Sequence, residues 1–251
     1  MINETKNNLF FVQFTPGAGG RFILVCCTTA DNVGSWMPDP LPDPIEYTKS
    51  KFCVEQSILH MKTETQTPYD LFWFTRQYPF SRGDNLTQDE VTTHLMKDQR
   101  AVTDLNNDKL LASIWNKTYL PNWFEGKLLS IVSDDDSHAW LMQRRKEVFY
   151  KFENGKAYLM RYMPEGIHNG HMVKQFSDQP QTIFDYTNED DFVEWDYHDK
   201  VSPGTGKNIN LSDILYKDPD FIWDKIDNLL GSPINREWCT PALITWRQRW
   251  T

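Results

Sequence analysis

A glycine-rich turn near the beginning of the chain constrains the possible folds more than any other segment. The apolar residues 9–14 predict a strand, residues 15–20 (TPGAGG) predict a tight turn, and residues 21–30 predict a helix. This order gathers backbone N–H groups in front of the positive end of a helix dipole, an arrangement that binds phosphate or sulfate. The segment therefore predicts an oxyanion site directly after the first strand.

The remainder of the chain predicts one α/β domain. Strands and helices alternate wherever the pattern is clear, which favours a three-layer α/β/α arrangement around a mostly parallel sheet. A length of 251 residues suits a single domain that spans 1–251. Two segments depart from the alternation, since 37–44 is proline-rich and predicts a surface loop, and 152–208 predicts an irregular insertion. The clearest other elements are strands at 69–75 and 126–132 and helices at 105–119, 137–151 and 219–230.

The composition narrows the partners and the location that we expect. A net charge of −9 and a pI of about 5.1 disfavour general nucleic-acid binding, because the chain has no basic footprint. No apolar run approaches the roughly 20 residues that span a bilayer, and the first residues do not resemble a signal peptide. The four cysteines lack paired spacing and indicate free thiols in a reducing compartment. We therefore expect a cytoplasmic protein that contacts neither membranes nor nucleic acids.

The glycine turn resembles the loop with which sulfotransferases hold the 5′-phosphosulfate of PAPS, the adenosine phosphosulfate donor. In that family an apolar strand is followed by Pro, a basic residue, a small residue, Gly, Thr residues and an aromatic residue. The positions that match within residues 14–23 are Pro16, Ala18, Gly19 and Phe22. Gly17 stands where the family usually has Lys, and Arg21 offers a substitute charge.

Two further segments resemble the same family. Residues 209–215 and 218–231 resemble its closing segment, in which a strand end is followed by Asp-Pro-Glu, an amphipathic helix and Leu-Gly. Residues 128–137 resemble the family's central strand, which ends in Arg-Asp-Pro and whose Arg binds the nucleotide 3′-phosphate. Here Ser133 replaces that Arg, and three aspartates follow it. Two arginines further along the predicted helix, Arg144 and Arg145, are candidates to offset their charge.

The resemblance implies a P-loop NTPase-like fold and a transferase that moves a sulfuryl group from PAPS to a hydroxyl or amine acceptor without a metal ion. The partners are then a small nucleotide donor, which leaves as PAP, and an acceptor of unknown structure. The expected nucleotide-binding residues are Pro16, Gly17, Ala18, Gly19, Gly20, Arg21, Phe22, Ser133, Arg76, Arg82 and Lys207.

Three of these residues lie outside the glycine turn and the central strand. Arg76 and Arg82 follow the predicted strand 69–75, where α/β folds place ligand-binding loops. Lys207 ends a glycine-containing loop whose position resembles the family's lid over the nucleotide.

Sulfuryl transfer also requires a proton acceptor, because the attacking group loses a proton. His60 is the first candidate, since it ends a predicted element, and His138 is the second, since it opens the helix after the central strand. Arg21 is the candidate for charge stabilisation at the loop.

Two other function classes stay open. Aspartates follow the apolar strand at 128–132, as in the Mg²⁺-binding strands of phosphoryl-transfer enzymes, so a magnesium-dependent nucleotide kinase is one alternative. The missing P-loop Lys and Ser/Thr count against that alternative. The other is a degenerate family member that binds a nucleotide or a partner without turnover, because Gly17 and Ser133 replace charged residues.

Overall fold

The described part of the main sheet contains four parallel strands. The structure is a computed structural model, and it describes residues 8–15, 17–34, 40–41, 43–45, 99–115, 124–159, 162–168, 171–176, 182–200 and 206–250. The four strands are β1 (Leu9–Phe14), β2 (Leu111–Trp115), β3 (Lys127–Val132) and β9 (Lys207–Asn210). They lie in the order β2–β1–β3–β9, which confirms the expected α/β class with a mostly parallel sheet.

β1 lies inside the sheet because its sequence is apolar on both faces. Phe10, Phe11 and Val12 are fully buried, and a parallel strand that is covered on both faces is typically a continuous apolar run. Phe10 pairs with Ala112 of β2 on one side and with Lys127 of β3 on the other. The glycine turn therefore follows a strand that is held from both sides.

Seven helices are described. They are α1 (Gly20–Cys27), α2 (Gln99–Asn106), α3 (Asp135–Phe149), α4 (Glu189–Lys200), α5 (Leu211–Tyr216), α6 (Pro219–Leu230) and α7 (Arg236–Trp250). Buried side chains of α1, α5, α6 and α7 form one core with β1, β3 and β9. The core therefore joins the first helix of the chain to its last three.

The helix predicted at 219–230 is confirmed in both its bounds and its buried face. Ile222, Ile226 and Leu230 recur at helical spacing and are buried in the core. The helix begins after Asp218, whose carboxylate accepts a hydrogen bond from the Asp220 N–H, and ends at a left-handed glycine. The buried face also includes Trp223, whereas Leu229, which the helical spacing placed on that face, is only partly buried.

The residues described between 150 and 185 form antiparallel strands that are separate from the main sheet. β4 (Tyr150–Glu153), β5 (Lys156–Leu159) and β8 (Thr182–Asp185) make one sheet, and β6 (Tyr162–His168) pairs with β7 (His171–Phe176). The turn between β4 and β5 is Asn154-Gly155, with both residues at positive φ, which is the preferred two-residue hairpin turn. The insertion expected at 152–208 thus contains more regular structure than its mixed pattern indicated.

The prediction of a helix at 105–119 is wrong. The described part of that segment ends α2 at Asn106 and then forms β2, whose five residues all pair with β1. The pairing with a buried strand overrides the local helical preference, which is weak in comparison. Of the proline-rich loop at 37–44, most lies outside the described residues. In the part of the chain that is described, no helix is long and apolar enough to cross a bilayer.

Candidate functional site

The site lies where the strand order of the main sheet reverses. After β1 the chain adds β2 on one side of that strand and then crosses to add β3 on the other side. Open α/β sheets bind ligands in the crevice outside the carboxyl ends of two such strands. The glycine loop follows β1, and Ser133 and Asp134 follow β3. Phe14 pairs with Ile131, so these two segments leave the sheet side by side.

The glycine loop, residues 15–19, is a tight turn that requires glycine at two positions. The Ala18 N–H donates to the Thr15 carbonyl at 3.0 Å and closes the turn. Gly17 has φ 99° and Gly19 has φ 74°, values in the left-handed region that residues with a Cβ rarely adopt. Position 20 requires glycine for a different reason, because a Cβ there would lie 2.0 Å from the Phe14 ring.

α1 begins at this loop without a side-chain cap. Its N-cap residue is Gly19, which has no side chain to accept a hydrogen bond, and its first turn contains no acidic residue. Gly20 and Phe22 of that turn are buried. The first N–H groups of a helix have no partner within the helix, and the helix dipole adds positive charge there. The buried end of α1 is therefore suited to an anion.

Two other described helices near the sheet meet this requirement with carboxylates at their N-caps. α3 has Asp134 as its N-cap in a reciprocal capping box with Ser137, and α6 has Asp218. A carboxylate at a helix N-terminus satisfies the N–H groups and complements the dipole. α5 also lacks a side-chain cap hydrogen bond, but it has Asp213 in its first turn. Among α1, α3, α5 and α6, only α1 has neither a side-chain cap nor an acidic residue in its first turn.

Trp246 of α7 covers the loop. Its ring stacks on Phe22 with centroids 5.4 Å apart and planes 6° apart. A Cβ at Gly19 would lie 2.5 Å from the Trp246 Cζ2 atom, so the indole lies directly on the loop backbone. Further along both helices, Cys239 Sγ lies 3.8 Å from the Cys26 carbonyl oxygen. These two pairs show that α7 runs antiparallel to α1.

A buried arginine contacts the same indole. The Arg144 guanidinium carbon lies 5.3 Å from the ring centroids of both Trp140 and Trp246, within the range of a cation–π interaction. Arg144 is 3% exposed and its neighbour Arg145 is 1% exposed. Guanidinium groups stay protonated even when buried. The indole of Trp246 therefore lies between the positive charge of Arg144 on α3 and the glycine loop.

Ser133 and Asp134, which follow β3, differ in their hydrogen bonding. The hydroxyl of Ser133 is a buried polar atom without a hydrogen-bond partner among the described residues. Asp134 is fully engaged, because its carboxylate accepts from the hydroxyls of Ser137 and Ser212. Partial burial raises the pKa of Asp134, but these hydrogen bonds outweigh it and leave the pKa below its ordinary value. Asp134 therefore acts as a helix cap, with both carboxylate oxygens already bonded.

His138 lies in the first turn of α3, on the same side of the sheet edge as Asp134. Its Nε2 atom is 2.9 Å from Oε2 of Glu194 on α4, and both side chains are more than one third exposed. The pair joins α3 to α4 and fixes the direction of the imidazole. A histidine oriented by a carboxylate is a common arrangement for proton transfer.

Lys207 is not brought to the loop. It begins β9 and lies level with Leu129, whereas the carboxyl end of that strand is Asn210, level with Val132. Three residues of strand separate the two ends, which corresponds to roughly 10 Å. Lys207 is also exposed.

Several predicted residues cannot be compared with the geometry. His60, Arg76, Arg82 and Pro16 lie outside the described residues. Arg21 lies in the first turn of α1, but its side chain is also outside the described part. The predicted loop residues that the structure brings together around the end of α1 are Gly17, Ala18, Gly19, Gly20 and Phe22.

Trp246 and Trp140 are not among the residues that the sequence predicted for the site. Neither residue lies in a motif, and the abundance of tryptophan, ten in the chain, does not distinguish one indole from another. Among the described residues, no group of three or more histidine, cysteine or acidic side chains is arranged to hold a metal ion. No family model matches the chain, and no curated protein or solved structure shows significant similarity to it.

Proposed function

We propose that this protein is a PAPS-dependent sulfotransferase of the P-loop type, with the phosphosulfate held at the N-terminus of α1. The observation that carries the proposal is the buried, uncapped beginning of α1 at the carboxyl end of an inner parallel strand. That position requires a group that accepts several hydrogen bonds and carries negative charge. A phosphosulfate fits both requirements.

The loop residues have a defined task in this proposal. Backbone N–H groups of Gly17, Gly19 and Gly20 donate to the oxyanion, while the Ala18 N–H closes the turn and the glycines let the loop adopt the conformation that directs these groups to one point. Buried donors that are already oriented stabilise developing charge without reorganisation. Bound PAPS would supply the sulfuryl group, whose bond to the phosphate oxygen breaks as a bond to the acceptor oxygen or nitrogen forms.

His138 is the described candidate for the proton acceptor. Its hydrogen-bonded neighbour Glu194 orients the ring at the sheet edge where the glycine loop also ends. Glu194 would stabilise the positive charge that the imidazole gains when it takes the acceptor's proton. His60 remains a second candidate.

A protein that binds a nucleotide without turnover is the second candidate function. A specific observation favours it, namely that Gly17 has φ 99°. A lysine at that position would be strained, so the loop conformation departs from that of a family whose loop carries Lys there. The kinase alternative receives less support, because the Asp134 carboxylate that would reach Mg²⁺ already accepts two hydroxyl hydrogen bonds.

A thermal shift series separates these functions. We expect PAP and PAPS to raise the melting temperature without a metal ion, because they place an anion at the end of α1. Stabilisation by ATP–Mg²⁺ alone would support the kinase alternative and overturn the sulfotransferase proposal. Binding of PAPS without release of PAP, across phenol and amine acceptors, would support the binding protein.

A further inference from the structure

The indole N–H of Trp246 is a buried donor that has no acceptor among the described residues. The side chain is 1% exposed, and Nε1 is buried without a hydrogen-bond partner. Buried indole N–H groups usually donate, since an unmade hydrogen bond in the interior costs free energy. Another buried indole in the chain, that of Trp223, has such a partner, because its N–H donates to Thr240 Oγ1 at 3.0 Å.

The part of the indole next to the unused donor lies against the glycine loop. The indole atoms closest to the Cβ that Gly19 lacks are Cζ2 at 2.5 Å, Cη2 at 3.0 Å and Cε2 at 3.4 Å. Cε2 is bonded directly to Nε1, so the N–H lies on the edge of the ring that borders the loop. Gly19 is the N-cap residue of α1, and the indole donor therefore lies beside the uncapped helix end.

Positive charge lies next to the indole that carries this donor. The guanidinium of Arg144 lies over the same indole ring, and the first turn of α1 contains no carboxylate. A cation over the ring, a helix N-terminus and an indole N–H are all complementary to an anion. A tetrahedral oxyanion can accept hydrogen bonds from the backbone and from a side chain at the same time.

We propose that Trp246 is a ligand of the oxyanion at the glycine loop, so that the last helix of the chain completes the site begun by the first. The ligand is a phosphate or sulfate group, either free or carried by a nucleotide. This inference rests on the oxyanion site of the proposed function and adds a donor from a distant part of the sequence.

Trp246→Phe tests the assignment, with Trp223→Phe as its matched control. Phenylalanine keeps an aromatic ring on Phe22 and removes only the N–H and part of the indole. We expect titration calorimetry with inorganic sulfate, inorganic phosphate and PAP to show binding that is about 10- to 100-fold weaker in Trp246→Phe, the usual effect of losing a hydrogen bond to a charged group. Trp223→Phe removes the N–H that Thr240 accepts and should leave binding unchanged.

The three probes also identify the source of the oxyanion. Weakening for all three supports a site for the free ion and the nucleotide alike, and weakening for PAP alone supports a site that needs the nucleotide. Unchanged affinity of Trp246→Phe for every probe that the wild type binds would overturn the role of Trp246 and leave the proposed function standing. A wild type that binds none of the three would overturn both.

A second measurement does not depend on a variant that folds. In protein labelled with ¹⁵N at the tryptophan indoles, the Trp246 N–H signal should move downfield on addition of the bound oxyanion, because a new acceptor deshields the proton. The Trp223 signal should stay in place. A Trp246 signal that does not move at saturation would contradict the assignment.

Discussion

The indole of Trp246 lies directly against the backbone of Gly19, where a Cβ would be 2.5 Å from its Cζ2 atom. These residues are separated by most of the sequence, yet they bring the last helix onto the beginning of the first. Position 19 requires glycine for two reasons. Its φ of 74° lies in the left-handed region, and the indole leaves no space for a Cβ. The contact therefore belongs both to the packing of α7 on α1 and to the candidate site.

Gly19→Ala should destabilise the protein and weaken oxyanion binding. We expect a loss of about 2–4 kcal/mol in the free energy of unfolding, the sum of the left-handed backbone cost and of overpacking against Trp246. Urea unfolding measures the loss, and titration with sulfate or PAP measures the binding.

Gly155→Ala is the control for backbone strain alone. Gly155 has φ +72° in a hairpin turn, and no atom lies within 4 Å of the position of its Cβ. This variant should lose about 1 kcal/mol and bind as the wild type does. Equal losses in the two variants would mean that Trp246 does not press on Gly19.

Asp134→Ala should lower stability through the lost cap of α3. Removal of such a cap costs about 1 kcal/mol, in a range of roughly 0.5–2, and here it also leaves Ser212 without its acceptor. Asp134→Asn should cost less, because the amide oxygen still accepts. Urea unfolding at pH 7 compares the two variants with the wild type.

The lowered pKa of the Asp134 carboxylate predicts that the stability of the protein depends on pH. Because the pKa of Asp134 is lower in the folded protein than in the unfolded chain, its contribution is complete above the ordinary carboxyl pKa of about 4. It is lost as the pH falls from there through the folded value. The stability gap between the wild type and Asp134→Asn should therefore begin to shrink as the pH falls below about 4 and go on shrinking through the folded value. A gap that is constant over this window would contradict the lowered pKa.

His138→Gln should slow sulfuryl transfer without weakening nucleotide binding. We expect the rate of PAP release with a phenol or amine acceptor to fall about a hundredfold or more, since a general base contributes that much. Stability should change by about 1 kcal/mol or less, because the pair with Glu194 is partly exposed. Glu194→Gln should show a smaller loss of rate, and an unchanged rate in both variants would remove His138 from the mechanism.

Cys26 and Cys27 should resist alkylation in the folded protein. Burial raises the pKa of both thiols well above the ordinary value, and Cys239 beside them raises both further. Mass spectrometry after brief treatment with iodoacetamide should find these two cysteines modified only in urea. Rapid modification of either thiol in buffer would show that the contact between α1 and α7 opens readily.

Local patterns predicted the elements whose signals lie within their own residues. The apolar run at 9–14 became β1, the glycine turn became the start of α1, and the Asp-Pro and Leu-Gly signals gave α6 its two ends. In each case the chemistry that fixes the element is adjacent in sequence. Capping, proline and left-handed glycine act over a few residues.

Contacts between distant residues could not be predicted in the same way. β2 reads locally as helix and became a strand because β1 offers it an edge. Trp246 reaches the glycine loop, and Arg144 reaches Trp246, only through the packing of α7 and α3. The local pattern predicted the loop, but the proposed role of the last helix at that loop depends on tertiary packing, which no local motif encodes.

Titration calorimetry of metal-free protein with PAP tests the central claim most directly. Saturable binding of one PAP per chain without Mg²⁺, weakened in Gly19→Ala and unchanged in Gly155→Ala, is the predicted result. Binding that requires Mg²⁺, or a preference for ATP–Mg²⁺ with no response to PAP, would contradict a phosphosulfate site at the beginning of α1.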